Sequence, residues 1–241
     1  MIKSEILYDR LAPYFSLYSK RKQLYLDSVD KIIIRLIDKK GMHILDVGAG
    51  DGLRGNKIFK IIRFKKIVSI DNSSEMISLY KRRFKSKIYK LDICSDDTTV
   101  VLGKFDVVTC LWNVLGHMPT PKKRLKALIN MKKLLTNNGK IFIDVSNRYN
   151  IAYYGWLNVF KNMVKDLIFH SEKNGEFDYI LRINKLVSIP SSNHFFTPHE
   201  MKTLIEKANL SIDRQFYVNY STGLIENTFL KGSLFYVLKI K

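Results

Sequence analysis

Three glycines in one short segment are the residues of this chain best suited to hold a charged, nucleotide-like ligand. Gly48, Gly50 and Gly52 follow the apolar run that ends at Val47, and Asp46 stands two positions before the first glycine. Where side chains are missing, the backbone can turn sharply and approach a ligand closely. A helix that begins after this turn points its free N–H groups at the same place. The segment therefore predicts a strand, a ligand-binding turn and a helix.

The spacing of these glycines differs from that of two common nucleotide-binding motifs. A dinucleotide fingerprint, G-x-G-x-x-G, would place its third glycine at position 53, which is Leu53. A P-loop would need G-K-S or G-K-T after the glycines, and neither follows. The spacing argues against a nicotinamide cofactor and against a P-loop, and it leaves an ordinary glycine-rich turn as the alternative.

Two further acidic residues end the next two predicted strands. Asp71 ends the strand predicted at 67–71, and Asp92 follows the strand predicted at 88–91. In an open parallel sheet the strand ends meet at one crevice, where an acidic side chain can accept hydrogen bonds from both ribose hydroxyls. Asp92 is placed to accept from an adenine amino group while Ile93 covers the ring. Each acid could instead be a helix cap or a turn residue.

This pattern of an acid, G-x-G-x-G and acid-ended strands resembles the class I S-adenosylmethionine (SAM) dependent methyltransferases. The resemblance covers roughly residues 40–145 by motif and the remainder by architecture. It implies an α/β fold with a doubly wound, mostly parallel seven-stranded sheet and helices on both faces, and SAM as the cofactor. It implies a cofactor site formed by Asp46, Gly48, Ala49, Gly50, Gly52, Asp71, Asn72, Met76, Asp92, Ile93, Leu111, Trp112, Asn113 and Arg21. In that set, Arg21 would meet the methionine carboxylate.

The segment after the fourth predicted strand contains a candidate catalytic base. Residues 111–119 resemble the family's segment that borders the cofactor and the methyl acceptor, and His117 lies in it. An imidazole titrates near neutral pH, so His117 could take a proton from a hydroxyl or an ammonium group. A histidine that only orients the loop is the alternative.

Four residues are predicted to bind the acceptor. Tyr14 and Tyr18 lie in a segment beginning at Tyr8 that resembles a stretch packed over the cofactor in many small-molecule methyltransferases. A helix that uses these tyrosines for packing fits the spacing equally well. Arg148 is similar in position to an arginine of glycine N-methyltransferase-like enzymes and would bind a carboxylate, with a surface salt bridge as the alternative. Tyr153 follows it in the same region.

Two types of methyl transfer lack their characteristic residues. No Asn/Asp-Pro-Pro-aromatic sequence follows the fourth strand, where adenine-N6 and glutamine-amide methyltransferases hold a planar amine or amide. Neither Cys94 nor Cys110 follows a proline, as the nucleophile of cytosine-C5 enzymes would. No metal-ligand spacing is visible, so both cysteines are expected to be reduced packing residues. An amine or hydroxyl of a small metabolite remains as the acceptor.

The order of apolar runs predicts one domain, residues 1–241, with two additions. Residues 1–40 form a helical lid, with helix from about 4 to 39, and residues 147–192 form a substrate-side insert with an aromatic-rich helix and a strand at 179–188. Thr197 and Pro198 indicate a helix start, and the helix runs to about 208. The other predicted strands are 43–47, 67–71, 88–91, 105–110, 140–145, 211–218 and 233–240, and the helices between them are 52–62, 74–84 and 122–135.

A net charge of +19 raises the possibility of a polyanionic partner. Much of this charge falls at helix exits, away from the predicted crevice, whereas Lys122, Lys123, Arg124 and Lys126 open a helix beside it. Methylation of RNA is therefore one alternative, and a non-catalytic SAM-binding protein is another. No signal peptide or membrane-length apolar run is visible, so we expect a cytoplasmic protein with no membrane partner and an undetermined oligomeric state.

Overall fold

We describe a computed structural model of the chain, covering residues 2–37, 41–95, 103–169 and 171–241. Its strands are β1 (His43–Val47), β2 (Lys66–Asp71), β3 (Lys87–Lys90), β4 (Phe105–Cys110), β5 (Leu135–Val145), β6 (Glu176–Arg182), β7 (Ser188–His194), β8 (Leu210–Val218), β9 (Ile225–Glu226) and β10 (Ser233–Ile240). Its helices are α1 (Ser4–Leu11), α2 (Phe15–Lys20), α3 (Gln23–Leu36), α4 (Leu53–Ile62), α5 (Ser74–Arg83), α6 (Pro121–Lys133), α7 (Ile151–Tyr154), α8 (Trp156–Ile168) and α9 (Pro198–Lys207).

Within the described residues, the central sheet has eight strands in the order β3-β2-β1-β4-β5-β10-β8-β9. β1 to β5 are parallel, and β10 runs antiparallel to both of its neighbours, β5 and β8. The predicted α/β fold with a mostly parallel sheet is confirmed, whereas the prediction of seven strands is wrong by one. The additional strand, β9, has only two residues and pairs with β8 at the sheet edge.

Both faces of the sheet are covered, because alternate residues of its strands pack in opposite directions. Leu45 and Val47 of β1 belong to the apolar cluster that includes α6 and α9, whereas Ile44 belongs to the cluster that includes α3 and α4. β5 alternates in the same way, since Ile141 and Phe142 lie in different clusters. This two-sided burial explains why the central strands are continuous apolar runs in the sequence.

Helix starts follow the residues that the sequence offers as caps. Thr197 accepts a hydrogen bond from the backbone N–H of Glu200 at 3.0 Å, and Pro198 occupies the first position of α9, as predicted. Ser73 caps α5 and Thr120 caps α6 by the same kind of bond. These helices follow β7, β2 and β4, so the caps help to fix the strand exits that border the site.

Three predicted elements differ from the structure. The N-terminal region forms three helices instead of one, because a 3-10 turn at Ala12–Tyr14 and a break before Gln23 interrupt it; residues 38–40 lie outside the described residues. β5 begins at Leu135, five residues earlier than predicted. The strand predicted at 179–188 is a hairpin of β6 and β7, since this stretch crosses the turn between them.

Candidate active site

The glycine turn lies between β1 and α4, as the sequence predicts, and its three glycines have left-handed backbone angles. The φ values of Gly48, Gly50 and Gly52 are +70°, +57° and +78°. A Cβ atom at Gly48 would lie 2.5 Å from a methyl carbon of Val114, and one at Gly52 would overlap the ring of Tyr80. At Gly50 a Cβ atom would only touch Phe15, at 3.5 Å. Gly48 and Gly52 are therefore required by packing as well as by backbone geometry.

Two acidic side chains are held at the strand ends beside this turn. Asp71 accepts hydrogen bonds from the backbone N–H groups of Gly50 (2.8 Å) and Ser73 (2.9 Å), and burial raises its pKa. Asp46 accepts from the Thr109 hydroxyl at 2.7 Å, and burial raises its pKa to about 6. Asp71 is thus oriented by the turn itself, while Asp46 keeps a proton more readily than an exposed aspartate.

A cavity of about 540 Å³ opens beside the turn and the strand ends, a size typical of small-molecule sites. Its floor is the turn and the carboxyl ends of the strands. Its roof comes from the N-terminal helices, including Tyr8 of α1 and Phe15 of α2. The predicted site residues that line the cavity are Asp46, Gly48, Ala49, Gly50, Asp71, Asn72, Asp92, Ile93, Leu111, Trp112 and His117.

Polar contacts fasten helix α1 to the side of the cavity where β2 ends and α5 begins. The Asp9 carboxylate accepts from the Ser73 hydroxyl at 2.6 Å and from the backbone N–H of Glu75 at 3.1 Å. The Asn72 amide donates to the Ser4 hydroxyl at 2.9 Å. Asp9 thereby adds a negative charge at the N-terminus of α5, where the helix dipole stabilises it. The N-terminal segment is therefore part of the site wall.

His117 lies in that wall and meets a side chain of the N-terminal segment. Its Nε2 atom is 3.0 Å from the hydroxyl oxygen of Tyr8, and the two rings pack edge to face. Burial lowers the pKa of His117 to about 4, and burial raises the pKa of Tyr8. At neutral pH the imidazole and the phenol are therefore both uncharged, and the lowered pKa makes this imidazole a weaker base than that of an exposed histidine.

Arg54 is a site residue that the sequence analysis missed. It lies in the first turn of α4, lines the cavity, and donates from Nε to the Asp30 carboxylate at 2.7 Å. Its two terminal nitrogens are buried and have no hydrogen-bond partner among the described residues. A buried guanidinium left with free N–H groups beside a cavity is suited to an anionic ligand. Its position two residues after Gly52 was the available signal.

Three predicted cofactor residues do not line the cavity because they pack around it. Gly52 contacts Tyr80, and Met76 is fully buried in α5. The Asn113 side-chain oxygen accepts from the backbone N–H of Ser146 at 3.0 Å, which ties the end of β4 to that of β5.

Arg21 also lies away from the cavity. Its guanidinium donates to the backbone carbonyl of Arg182 at 2.9 Å and to that of Ile183. It therefore connects the N-terminal helices to the β6–β7 hairpin.

The four predicted acceptor residues also lie outside the cavity lining. Tyr14 packs in an apolar cluster with α1 and the β6–β7 hairpin, and Tyr18 stacks on Trp112 with ring centroids 5.2 Å apart. Arg148 pairs with Asp166 of α8 at 3.0 Å, and both are largely buried. Tyr153 is half-exposed and contacts the ammonium group of Lys22. Tyr18 therefore touches a residue of the cavity wall, Trp112.

The basic group on α6 is less uniform than the sequence predicts. Lys122 and Lys123 are exposed, and Lys123 borders the cavity. Arg124 is fully buried: its Nε donates to the Met118 carbonyl at 3.2 Å, and a terminal nitrogen lies 3.6 Å from Glu176. Arg124 therefore serves an internal contact and does not face an incoming polyanion.

The fold and the site together define a Rossmann-like nucleotide-cofactor domain, and comparisons with known proteins specify it further. A family model described as a methyltransferase domain matches residues 45–141, which include the glycine turn. A ubiquinone biosynthesis O-methyltransferase of Coxiella burnetii is 27% identical over 152 residues, 62% of this chain. The chain spans 60% of the length of that relative.

Solved structures share the fold of this chain. Streptomyces venezuelae DesVI superposes with a TM-score of 0.65 at 13% identity, covering 95% of this chain and 98% of its own. Magnesium protoporphyrin IX methyltransferase from Synechocystis, solved with bound S-adenosylhomocysteine, gives a TM-score of 0.56 at 15% identity, covering 90% and 81% of the two chains. Residues 45–141 are thus similar to a methyltransferase domain, and the chain shares its fold with a solved methyltransferase that binds S-adenosylhomocysteine.

Proposed function

We propose that this protein transfers a methyl group from SAM to a hydroxyl group of a small molecule. The observation that carries the proposal is the contact between His117 and Tyr8, which places a neutral imidazole in the wall of the cavity that the glycine turn also lines. The curated relatives support oxygen as the acceptor atom, because they carry the name of an O-methyltransferase.

The cavity floor offers a partner for each part of SAM. We assign the ribose hydroxyls to Asp71 and the adenine to Asp92 and Ile93. The amino group of the methionine tail is assigned to Asp46, a buried carboxylate at the end of β1. The carboxylate of that tail is assigned to Arg54, whose free N–H groups match two carboxylate oxygens. Arg54 replaces Arg21 in this role, since Arg21 is engaged by backbone carbonyls.

The proposed methyl transfer needs little covalent catalysis by the protein. When bound, SAM would supply an electrophilic methyl group, because its sulfonium sulfur can leave with the bonding electrons when the acceptor oxygen bonds to the methyl carbon. His117 accepts the hydroxyl proton and becomes an imidazolium. The positive charge of the sulfonium is lost in the same reaction, so the total charge in the buried cavity does not change. The protein otherwise aligns the reactants and excludes water.

The walls of the cavity favour a planar or apolar acceptor. Phe15, Trp112 and Tyr8 contribute aromatic rings to the lining, and Phe15 and Trp112 pack against each other at 5.7 Å. Aromatic walls provide large contact areas for planar rings. Because Arg148 is paired with Asp166 outside the cavity, it does not support a carboxylate on the acceptor. We therefore propose a phenol or a similar hydroxyl compound.

The test is a comparison of the parent protein with His117→Gln. We expect kcat with an accepted phenol to fall by roughly 10²- to 10⁴-fold, the usual contribution of a general base. The dissociation constant for SAM, measured by calorimetry, should stay within about twofold, because the proposed SAM contacts are elsewhere. Tyr8→Phe should retain more activity than His117→Gln, since it leaves the imidazole in place.

Three outcomes would overturn the proposal in different ways. Unchanged kcat in His117→Gln would remove the histidine from the chemistry. Release of S-adenosylhomocysteine with amines and with no hydroxyl compound would move the methyl group to nitrogen. Tight SAM binding without product from any acceptor in a broad panel would support the non-catalytic alternative.

A further inference from the structure

Helix α8 presents an unusual number of large apolar side chains to solvent. Trp156 is 65% exposed, Phe160 60% and Leu167 75%. Leu157, Val164 and Ile168 on the same helix are exposed as well, as is Phe169 directly after it. A continuous exposed apolar surface on a folded domain normally marks a contact with another molecule or with a membrane.

The exposed residues of α8 share one side of the helix. With about 100° between successive residues, the six side chains from Trp156 to Ile168 cover an arc of roughly 120°. Val159 lies on the opposite side and is buried against the protein. Asp166 also turns inward, where it accepts a hydrogen bond from Tyr149 at 2.6 Å and pairs with Arg148. The apolar arc is thus fixed on the outside of the molecule.

Positive charge borders this arc on the helix. Lys161 and Lys165 are exposed and follow the apolar arc on one edge, while the only acidic residue of α8, Asp166, faces inward. The whole chain carries a net charge of +19. The outward surface of α8 therefore combines large apolar side chains with cations and has no acidic residue.

We propose that α8 docks the protein on the surface of an anionic lipid bilayer, lying in the plane of the interface. An apolar face rich in Trp, Phe and Leu beside a lysine-bearing edge is the pattern of helices that bind this way. A second copy of this chain is a poorer occupant of the surface, because two molecules of the same high positive charge repel each other.

The proposal does not require a membrane span. The thirteen residues of α8 measure about 20 Å, shorter than the roughly 30 Å of a bilayer core. In the described part of the chain, no helix is long and apolar enough to cross. The sequence-based expectation of no membrane partner rested on the lack of an apolar run long enough to span a bilayer. That criterion does not apply to a helix that lies along the membrane surface.

The segment that precedes the docking helix is connected to the cavity by a series of aromatic contacts. Tyr153, three residues before α8, packs against Tyr220 with ring centroids 5.2 Å apart. The Tyr220 hydroxyl accepts a hydrogen bond from the indole N–H of Trp112 at 3.2 Å, and Trp112 lines the cavity. The segment that leads into the docking helix is therefore linked through Tyr220 to Trp112 of the cavity lining.

Sedimentation of the full chain with lipid vesicles tests the proposal. The two probes are vesicles of phosphatidylcholine alone and vesicles of phosphatidylcholine mixed with phosphatidylglycerol. We expect strong binding to the mixed vesicles, weaker binding to the neutral ones, and a loss of binding as salt rises. The double variant Leu157→Ser and Phe160→Ser should bind the mixed vesicles at least about tenfold more weakly.

A matched control and a charge variant distinguish docking through α8 from nonspecific binding to vesicles. Ile61 of α4 is 55% exposed on a different helix, so Ile61→Ser should bind vesicles like the parent. Lys161→Glu with Lys165→Glu should remove the preference for anionic vesicles. The affinity for SAM should be unchanged in all of these variants, which shows that each one is folded.

A fluorescence readout reports insertion directly. The chain has two tryptophans, so Trp112→Phe leaves Trp156 as the single reporter on α8. Vesicles should shift its emission to the blue and protect it from a water-soluble quencher. Equal vesicle binding by the parent and the Leu157→Ser, Phe160→Ser variant would overturn the proposal. The proposal would also be overturned if the parent bound neither kind of vesicle and formed a dimer that the Leu157→Ser, Phe160→Ser variant did not form. In that case a second copy of the chain would occupy the apolar surface.

Discussion

At the scale of single residues, the site depends on charged groups that have lost most of their water. Asp46, Asp71 and Arg54 all border one cavity, and burial raises the pKa of both carboxyl groups. Asp46 and Asp71 lie at the ends of predicted strands, so their placement beside one crevice could be predicted from sequence. Arg54 could not be predicted in this way, because it is a candidate ligand-binding residue only by virtue of its two buried, unpaired guanidinium nitrogens. The three-dimensional packing is needed to identify them.

Arg54→Lys tests the carboxylate assignment. Lysine keeps the charge that balances Asp30 but loses the planar fork, so we expect the dissociation constant for SAM to rise by roughly tenfold. Calorimetry with decarboxylated SAM provides the control. The parent should bind this analogue more weakly than SAM, whereas the variant should discriminate far less. Equal discrimination by both proteins would show that Arg54 does not meet the carboxylate.

Asp46 predicts a pH dependence of SAM binding. Its folded-state pKa is about 6, above the ordinary value of 3.8, so it is ionised above pH 6 and protonated below. Since the charged form attracts the amino group of SAM, affinity should fall as the pH drops from 7 to 5. Asp46→Asn should bind more weakly at pH 7, by about 1–3 kcal/mol, and should lack most of this pH dependence. Parallel pH profiles for the two proteins would contradict the assignment.

The same shift has a consequence for the stability of the ligand-free protein. Between about pH 4 and pH 6 the folded state retains a proton on Asp46 that the unfolded state has lost. The contribution of Asp46 to stability therefore decreases as pH rises through this window. His117 acts in the opposite direction, because its lowered pKa of about 4 favours the folded state above pH 6.5 and loses that contribution as pH falls toward 4.

At the scale of elements, the turn between β1 and α4 leaves no room for an added side-chain atom at Gly48 or Gly52. Its glycines were identified from sequence by spacing, but spacing does not rank them. The structure does, because Val114 closes over Gly48 while Gly50 has room for a methyl group. The order of sensitivity depends on Val114, sixty-six positions after Gly48 in sequence. Sequence patterns do not predict that this residue packs against the turn.

Gly48→Ala should therefore destabilise the protein more than Gly50→Ala. A left-handed backbone alone costs an alanine about 1–2 kcal/mol, and Gly48→Ala must also displace Val114. Gly103 has a φ of +80° and open space around it, so Gly103→Ala measures the backbone cost alone. Urea denaturation of the three variants gives the comparison. Equal losses in Gly48→Ala and Gly103→Ala would show that Val114 moves aside without cost.

The insert between β5 and α9 was the element least accessible from sequence. Its aromatic residues predicted a helix, and α7 and α8 are there, but the hairpin of β6 and β7 was read as one strand. β6 alternates regularly between exposed and half-buried residues, whereas β7 ends in four consecutive buried residues, so a search for alternation did not detect the second strand. Arg148 was assigned to the acceptor by position, yet its partner Asp166 comes from α8.

At the scale of the whole molecule, the parallel sheet and the position of its ligand crevice followed from the alternation of apolar runs. The net charge of +19 is harder to interpret, because it is a sum over all charged groups of the chain and does not locate a binding site. Burial of Arg124 shows that even a compact basic run in sequence does not form a uniform basic surface. Methylation of RNA therefore stays a hypothesis supported by charge alone.

Salt dependence distinguishes this hypothesis from the proposed function. A molecule of this charge should bind a generic single-stranded RNA, and that binding should weaken steeply as salt rises. We expect no transfer of labelled methyl from SAM to the RNA at any salt concentration, with transfer to hydroxyl compounds persisting at moderate salt. Labelled RNA in that assay would replace the small molecule with a nucleic-acid acceptor.

The position of β10 has a consequence for how the chain acquires its structure during synthesis. This strand, residues Ser233–Ile240, lies between β5 and β8 and hydrogen-bonds to both. Until it emerges from the ribosome, the two halves of the sheet have no shared partner, and the inner edge of β5 stays open to other chains. The sheet can therefore be completed only after β10 has been synthesised, and nascent chains stalled before this segment would be candidates for chaperone capture.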